Sequence, residues 1–232
     1  MRIYNQLISR RKLKELFDSI STYYESTNKV LSLGLDKKWR DKLADFAEGV
    51  VLDLACGTGE MTSRFSCKNS VSKVFGADMS KKMMKWGLEN KKFCREVNFV
   101  ASYAESLPFK DDTFDTVCVA FGLRNFENLS SAISEIKRVL KNRGKFISID
   151  TLKPTSAILP FYKFYLLYII PSITSILLGK KNEYIYMAKS ILSYMTQEEL
   201  TDFLKSYNFE NIKHINLTFG IVTITICENR KV

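Results

Sequence analysis

VLDLACGTGE, residues 51–60, is the stretch of sequence that decides the fold. Its aliphatic run, Val51 to Leu54, predicts a buried strand, and Gly57 and Gly59 predict a turn that leads into a helix. Glycines let the backbone approach a ligand that a Cβ atom would repel, and the start of a helix offers unpaired N–H groups. The segment therefore predicts a ligand-binding loop behind the first strand.

A second strand, Lys73 to Asp78, ends in an acidic residue, which can accept hydrogen bonds from both hydroxyls of a ribose. A dinucleotide loop would require a third glycine, but Thr62 occupies that position and Asp53 ends the first strand. S-adenosylmethionine (AdoMet) has no pyrophosphate and carries an ammonium and a sulfonium, so an acid beside the loop favours AdoMet. A nicotinamide or flavin cofactor and a tight turn without a ligand are the alternatives.

The alternation of strands and helices continues to residue 150. Further strands are predicted at 96–101, 116–121 and 145–150, and the clearest helix at 128–141. Apolar strands alternating with amphipathic helices predict an α/β fold with a mostly parallel sheet and helices on both faces. Residues 212–227 instead predict two strands that close the sheet as an antiparallel pair.

Two regions fall outside this alternation within what we expect to be a single domain, 1–232. Residues 1–48 predict a helical, basic N-terminal extension, and residues 151–195 predict an apolar insertion. A final helix is expected at 196–207, where Thr196 and Glu199 have the spacing of a capping box.

The composition limits the class of protein. The chain has 232 residues, of which 46% are hydrophobic, enough for a packed core. Its net charge of +10 favours an anionic partner. Its five cysteines contain no CxxC pair, and it has one histidine, so we expect no disulfide framework and no metal site. No long apolar signal segment opens the chain, which predicts a cytoplasmic location.

Three further motifs carry a resemblance to a known family. AESLPF at 104–109, FD at 114–115 and AFGLRNF at 120–126 closely resemble the quinone-biosynthesis C-methyltransferase family, and further matches span 17–222. The resemblance implies the class I AdoMet-dependent methyltransferase fold. This is a Rossmann-like, mostly parallel seven-stranded sheet with a C-terminal antiparallel strand pair and helices on both faces.

The resemblance also places the cofactor site. It implies that Thr58 lies in the AdoMet loop, that Asp78 binds the ribose, and that Tyr103 and Ala104 lie at the adenine. With the residues argued above, the expected cofactor set is Asp53, Gly57, Thr58, Gly59, Asp78, Tyr103 and Ala104. Family members usually have Asp or Asn where this chain has Tyr103, so a backbone group would have to bind the adenine there. This chain has other residues at the positions where the family commonly has histidine, so no family histidine is available to act as a base.

The activity implied by the resemblance is methylation of a ring carbon of demethylmenaquinol, which gives menaquinol. The alternatives are the ubiquinone-pathway 2-methoxy-6-polyprenyl-1,4-benzoquinol, or both acceptors, and a non-catalytic scaffold of a quinone-synthesis complex. Arg124 is expected to stabilise the phenolate of the acceptor because it follows the fourth strand at the carboxyl edge of the sheet. Asn125 is expected either to orient the substrate or to serve as a turn residue.

A polyprenylated quinol substrate implies contact with a membrane. Residues 158–178 are largely apolar, and the resemblance makes them part of a lid, 151–195, beside the active site; a transmembrane helix and plain core are the alternatives. Lys153, Lys163, Lys180 and Lys181 flank this region and suit an anionic membrane at its inner face. No nucleic acid is expected, because the basic residues are spread along the chain. A homodimer is left open.

Overall fold

The computed structural model describes residues 9–153, 159–179 and 181–231. Seven strands form one sheet in the order β3-β2-β1-β4-β5-β7-β6. They are β1 (Gly49–Leu54), β2 (Val71–Asp78), β3 (Val97–Ala101), β4 (Phe114–Ala120), β5 (Leu140–Asp150), β6 (Phe209–Leu217) and β7 (Val222–Asn229). The order is that of class I methyltransferases, and the fold prediction is confirmed.

The strand directions place a ligand crevice at the middle of the sheet. β1 pairs in parallel with β2 on one side and with β4 on the other. Successive strands are therefore added first to one side of β1 and then to its other side. Ligands of open α/β sheets bind outside the carboxyl ends of the strands at such a change of side. β7 lies antiparallel to both β5 and β6, as the predicted closing pair requires.

Helices cover both faces of the sheet. They are α1 (Arg10–Ile20), α2 (Tyr24–Leu31), α3 (Leu35–Ala44), α4 (Glu60–Ser66), α5 (Lys81–Asn90), α6 (Leu129–Val139), α7 (Leu159–Phe164), α8 (Ile170–Leu178), α9 (Lys181–Ser193) and α10 (Gln197–Ser206). One core cluster joins α6 and α10 to the sheet, and a second joins α3 and α4 to it. The apolar stripes of these helices are therefore buried on opposite sides of the strands.

Local signals position two of these helices. Asn128 accepts a hydrogen bond from the Ser131 amide at 3.0 Å and caps α6. Thr196 and Glu199 form the predicted capping box of α10. α6 ends at Val139, two residues earlier than predicted, because Leu140 already pairs with Phe114 of β4.

The N-terminal extension and the insertion are both helical. α1 to α3 belong to the extension, and α7, a π-helical segment at Tyr165–Ile169, α8 and α9 belong to the insertion. Residues 1–8 of the extension and residues 154–158 and Lys180 of the insertion lie outside the described residues. In the described part of the chain, no helix has the length and hydrophobicity needed to cross a membrane.

The expectation of no disulfide is wrong for one pair of cysteines. Cys67 and Cys94 are bonded, with their Cα atoms 5.0 Å apart. Cys67 ends α4 and Cys94 lies between α5 and β3, so 27 residues separate them in the chain. The parallel crossovers bring the two chain segments together, which the spacing alone did not reveal.

Candidate active site

The loop after β1 has the close-approach geometry that its sequence predicts. Gly57 and Gly59 have φ values of +55° and +74°, which a residue with a Cβ adopts at a cost. The Gly59 amide donates a hydrogen bond to the Cys56 carbonyl at 2.8 Å, and Gly59 is the N-cap residue of α4. On the outer side, Gly87 of α5 packs so closely that an added Cβ would lie 2.2 Å from the Thr58 carbonyl oxygen.

Two buried carboxylates end the strands on either side of this loop. Asp78 accepts hydrogen bonds from the amides of Gly57 at 2.8 Å and Ser80 at 2.7 Å. Asp53 accepts from the Thr62 hydroxyl at 2.5 Å. Burial raises the pKa of Asp78, and it raises the pKa of Asp53 to about 7, although Thr62 and a nearby guanidinium, Arg40, oppose the shift. Both groups therefore favour a cationic ligand, because a positive charge would restore their ionised form.

A cavity over the loop gathers most of the predicted cofactor residues. Asp53, Gly57, Thr58, Asp78, Tyr103 and Ala104 all line it. Gly59 does not; its place is at the start of α4. The acidic side chains in the wall are Asp53, Glu60, Asp78, Glu105 and Glu127. Arg40 is the only base among the described residues that line this cavity. The cavity is thus acidic and suits a ligand of net positive charge.

The N-terminal extension closes over this cavity. Glu25 of α2 accepts a hydrogen bond from the Thr58 hydroxyl at 2.5 Å and pairs with Lys91 at 2.7 Å. Asp18 of α1 accepts a hydrogen bond from the Ser80 hydroxyl, at the start of α5. Glu25 and Asp18 lie in segments that resemble the family, but the sequence predicts no role for either of them, because their contacts join segments far apart in the chain.

A second cavity, of about 410 Å³, lies between the extension and the insertion. Its wall is mostly apolar and rich in aromatic side chains, which are Phe17, Tyr24, Trp39, Phe121, Phe161, Tyr162, Tyr165, Tyr184 and Tyr186. Arg124 also lines it. The cavity therefore suits an apolar, ring-containing ligand with one anionic or polar group.

The two cavities share a wall. Five residues line both of them, Phe17, Tyr24, Arg40, Phe121 and Asn125. Phe121 has a φ of +60°, an unusual value for a bulky residue, and it follows β4 directly. A group held in the first cavity can therefore reach a ring held in the second at this wall.

Arg124 is held by a buried ion pair with Asp150, at the end of β5. Its Nη1 also donates to the Phe121 carbonyl at 3.0 Å, while its buried Nε has no partner. Burial lowers the pKa of Arg124, but the Asp150 carboxylate more than offsets this, so the net shift is upward. The guanidinium therefore stays charged at the wall of the aromatic cavity.

The single histidine of the chain, His214, lines neither cavity. His214 of β6 lies between the hydroxyls of Thr201 and Thr225, at 2.7 Å and 3.0 Å from its ring nitrogens. Among the described residues, no cluster of three acidic, histidine or cysteine side chains has the arrangement of a metal site.

AdoMet fits the acidic cavity on two observations. Gly57 approaches the cavity with a backbone conformation that a side chain would strain, and an added Cβ there would lie 3.2 Å from the Met83 side chain. Asp78 accepts hydrogen bonds from the Gly57 and Ser80 amides, and because a carboxylate has about four acceptor sites it keeps capacity for a ligand. Fold and site together define an AdoMet-dependent methyltransferase of class I.

Solved structures agree with this class at the level of the fold. A methyltransferase of Thermotoga maritima superimposes with a TM-score of 0.69 at 18% identity, covering 93% of this chain and 99% of that one. A methyltransferase solved with the Haloferax volcanii Trm112 activator gives a TM-score of 0.68 at 14% identity, with coverages of 93% and 98%.

Sequence comparison identifies the family. The chain matches the ubiE/COQ5 methyltransferase family over residues 5–228, and it belongs to this family. It is 33% identical to the ubiquinone/menaquinone biosynthesis C-methyltransferase of Geotalea uraniireducens, over 94% of this chain and 96% of the relative. The corresponding protein of Shewanella pealeana is 34% identical over 90% and 87%. The chain is therefore an AdoMet-dependent C-methyltransferase of the quinone-biosynthesis type, as the motifs predicted.

Proposed function

We propose that the enzyme methylates a ring carbon of demethylmenaquinol and produces menaquinol and S-adenosylhomocysteine. The observation that carries the proposal is the shared wall between an acidic cofactor cavity and an aromatic cavity of about 410 Å³. An aromatic wall and the buried guanidinium of Arg124 complement a hydroquinone ring and its phenolate.

The cofactor residues would bind different parts of AdoMet. Asp78 would accept hydrogen bonds from the ribose hydroxyls with its remaining acceptor sites, and Asp53 would face the positive end of the ligand. Gly57 and Thr58 would let the backbone approach, and Gly59 would hold the loop in shape. Tyr103 and Ala104 would lie at the adenine through backbone groups, because Tyr103 lacks the amide or carboxylate of the family.

The acceptor residues raise the reactivity of the ring. AdoMet supplies a methyl group that its sulfonium already activates. Arg124 would stabilise the ionised hydroxyl beside the accepting carbon, which increases electron density on that carbon. Transfer of the methyl group would form a carbon–carbon bond as the sulfur–carbon bond breaks, and the ring carbon would then lose its proton to water and regain aromaticity. Asn125, in the shared wall, would orient the ring, and the aromatic side chains around it would limit the access of water.

The acceptor test uses both ring systems. We expect incubation with isotopically labelled AdoMet and reduced demethylmenaquinol to give labelled menaquinol in the lipid extract by mass spectrometry. Label only in the product from 2-methoxy-6-polyprenyl-1,4-benzoquinol would replace the naphthoquinol assignment by the ubiquinone-pathway reaction. Label in neither, with AdoMet bound, would favour a scaffold.

We also propose that the substrate enters from an anionic membrane surface on the cytoplasmic side. Leu33 and Phe161 line the mouth of the aromatic cavity and are 83% and 79% exposed. Lys153 and Lys163, both exposed, lie in the insertion, where attraction to anionic headgroups is worth about 1 kcal/mol per residue.

The membrane proposal is tested by co-sedimentation with vesicles. We expect binding to phosphatidylglycerol-containing vesicles that weakens in high salt and in the variant Lys163→Glu, and little binding to neutral vesicles. Binding that ignores salt and lipid charge would contradict it.

A further inference from the structure

Arg40 is a buried base whose charge no carboxylate in the described part of the chain neutralises by direct contact. It lies in α3 and is 6% exposed. Its Nε has no hydrogen-bond partner, and no hydrogen bond or ion pair joins the guanidinium to a described residue. The guanidinium lies over the Phe121 ring, with its carbon 5.0 Å from the ring centroid. Burying an unpaired charge is costly, so such a group is expected to have an anionic ligand.

The position of Arg40 limits what that ligand can be. Arg40 lines both cavities, and of the described residues that line the cofactor cavity it is the only base, beside five acids. Asp53 lies close enough to it for the guanidinium to oppose the upward shift of the Asp53 pKa. The wall of the cofactor cavity therefore presents a buried carboxyl, Asp53, and a buried cation, Arg40, near each other, and this pair is the complement of an amino-acid zwitterion.

The order of the strands orients the cofactor toward Arg40. The sheet order is β3-β2-β1-β4, with the ribose carboxylate Asp78 at the end of β2. If the adenine of AdoMet lies at Tyr103, after β3, the methionyl end of AdoMet extends across the end of β1 toward β4. Phe121, directly after β4, is the residue under Arg40. The methionyl end thus arrives where the unpaired guanidinium lies.

We infer that Arg40 binds the carboxylate of the AdoMet methionyl group and thereby fixes the sulfonium methyl at the wall shared with the acceptor cavity. A guanidinium can bind a carboxylate through two parallel hydrogen bonds, which fixes orientation as well as position. Arg40 would then be a cofactor-binding residue supplied by the N-terminal extension, which otherwise serves as a cover. The inference depends on the cofactor and not on the identity of the acceptor.

The test compares AdoMet with decarboxylated AdoMet, which keeps the adenine, ribose, sulfonium and an ammonium but lacks the carboxylate. In calorimetric titrations of the full chain, we expect AdoMet to bind roughly 30-fold tighter or more, because removing one partner of a buried ion pair has an effect of this size. In Arg40→Met the difference should shrink to about threefold or less, and Arg40→Lys should fall between.

Two controls separate this role from others. Lys38→Met removes a charge from the exposed face of the same helix and should leave the difference intact. Asp78→Asn should weaken both ligands by the same factor, since both carry the ribose. Arg40→Met is expected to fold, because an apolar side chain of similar length replaces an unpaired buried charge.

Each contrary result overturns the inference. Equal affinity of the wild-type chain for the two ligands would do so without any variant, even if Arg40→Met failed to fold. A difference that persists in Arg40→Met would do so as well. Unchanged AdoMet binding in that variant, with a raised KM for the quinol, would assign Arg40 to the acceptor. Because the titrations contain no quinol, failure of the proposed acceptor would leave their outcome unchanged.

Discussion

The pH dependence of cofactor binding should report on Asp53. Its carboxyl is buried at the end of β1, and burial raises its pKa to about 7. A cationic ligand in the cofactor cavity favours the ionised carboxylate, so binding must displace the proton wherever the free enzyme holds it. Affinity for AdoMet should therefore rise as pH increases toward about 7 and level off above it.

The size of the effect follows from the fraction of Asp53 that is ionised. With a pKa of about 7, affinity at about pH 5.5 should be roughly 15-fold lower than at about pH 7, if only the ionised form binds. Titration calorimetry across this range measures the change, and repeating it in buffers of different ionisation enthalpy counts the protons released.

Matched variants assign the effect to this carboxyl. Asp53→Asn keeps the shape of the side chain and its acceptor for Thr62, and it should bind more weakly at neutral pH with a nearly flat profile. Asp45→Asn neutralises a carboxylate that pairs with Lys68 at the surface and should keep the wild-type slope. A flat wild-type profile, or an equal slope in Asp53→Asn, would refute the reasoning.

Three further predictions concern other parts of the molecule. Arg124→Gln should lower kcat by about 100-fold or more, the effect of losing one donor to a developing oxyanion, with AdoMet affinity within about threefold of wild type. Gly87→Ala should cost roughly 1–3 kcal/mol by thermal unfolding and weaken AdoMet binding, because the new methyl group would meet the Thr58 carbonyl 2.2 Å away. Reduction of the exposed Cys67–Cys94 bond, which closes a loop across 27 residues, should remove about 3–4 kcal/mol and lower Tm by roughly 10 °C.

These three predictions need different controls. Removing Arg124 leaves Asp150 buried without its partner, so the double variant Arg124→Gln, Asp150→Asn should regain stability without regaining kcat. Glu89→Ala, on the exposed side of α5, should leave Tm and AdoMet binding nearly unchanged. A Cys67→Ser chain should show the lowered Tm without reductant and no further response to it; an unchanged Tm would mean that the bond contributes little.

The sequence by itself predicts much of the fold. Gly57 and Gly59 behind an aliphatic run, followed by an acid at Asp78, defined the cofactor loop because strand, turn and helix signals are local. The strand predictions were confirmed for the same reason, with shifted ends. Arg124 was predicted as a site residue from its place after the fourth strand, but its burial and its partner Asp150 were not predicted, since burial depends on which other segments cover a residue.

The sequence by itself therefore determined the succession of strands and helices along the chain, the glycine loop and the family, because short-range patterns of hydrophobicity, turn residues and motifs carry that information. Only the tertiary structure showed that Glu25 reaches Thr58, that Cys67 meets Cys94, and that Arg40 lies between the two cavities. The contacts of Glu25 and Cys67 join residues 27 or more positions apart, and no carboxylate of the described ranges contacts Arg40 directly. Packing of the whole chain brings such groups together, so no local pattern can reveal them.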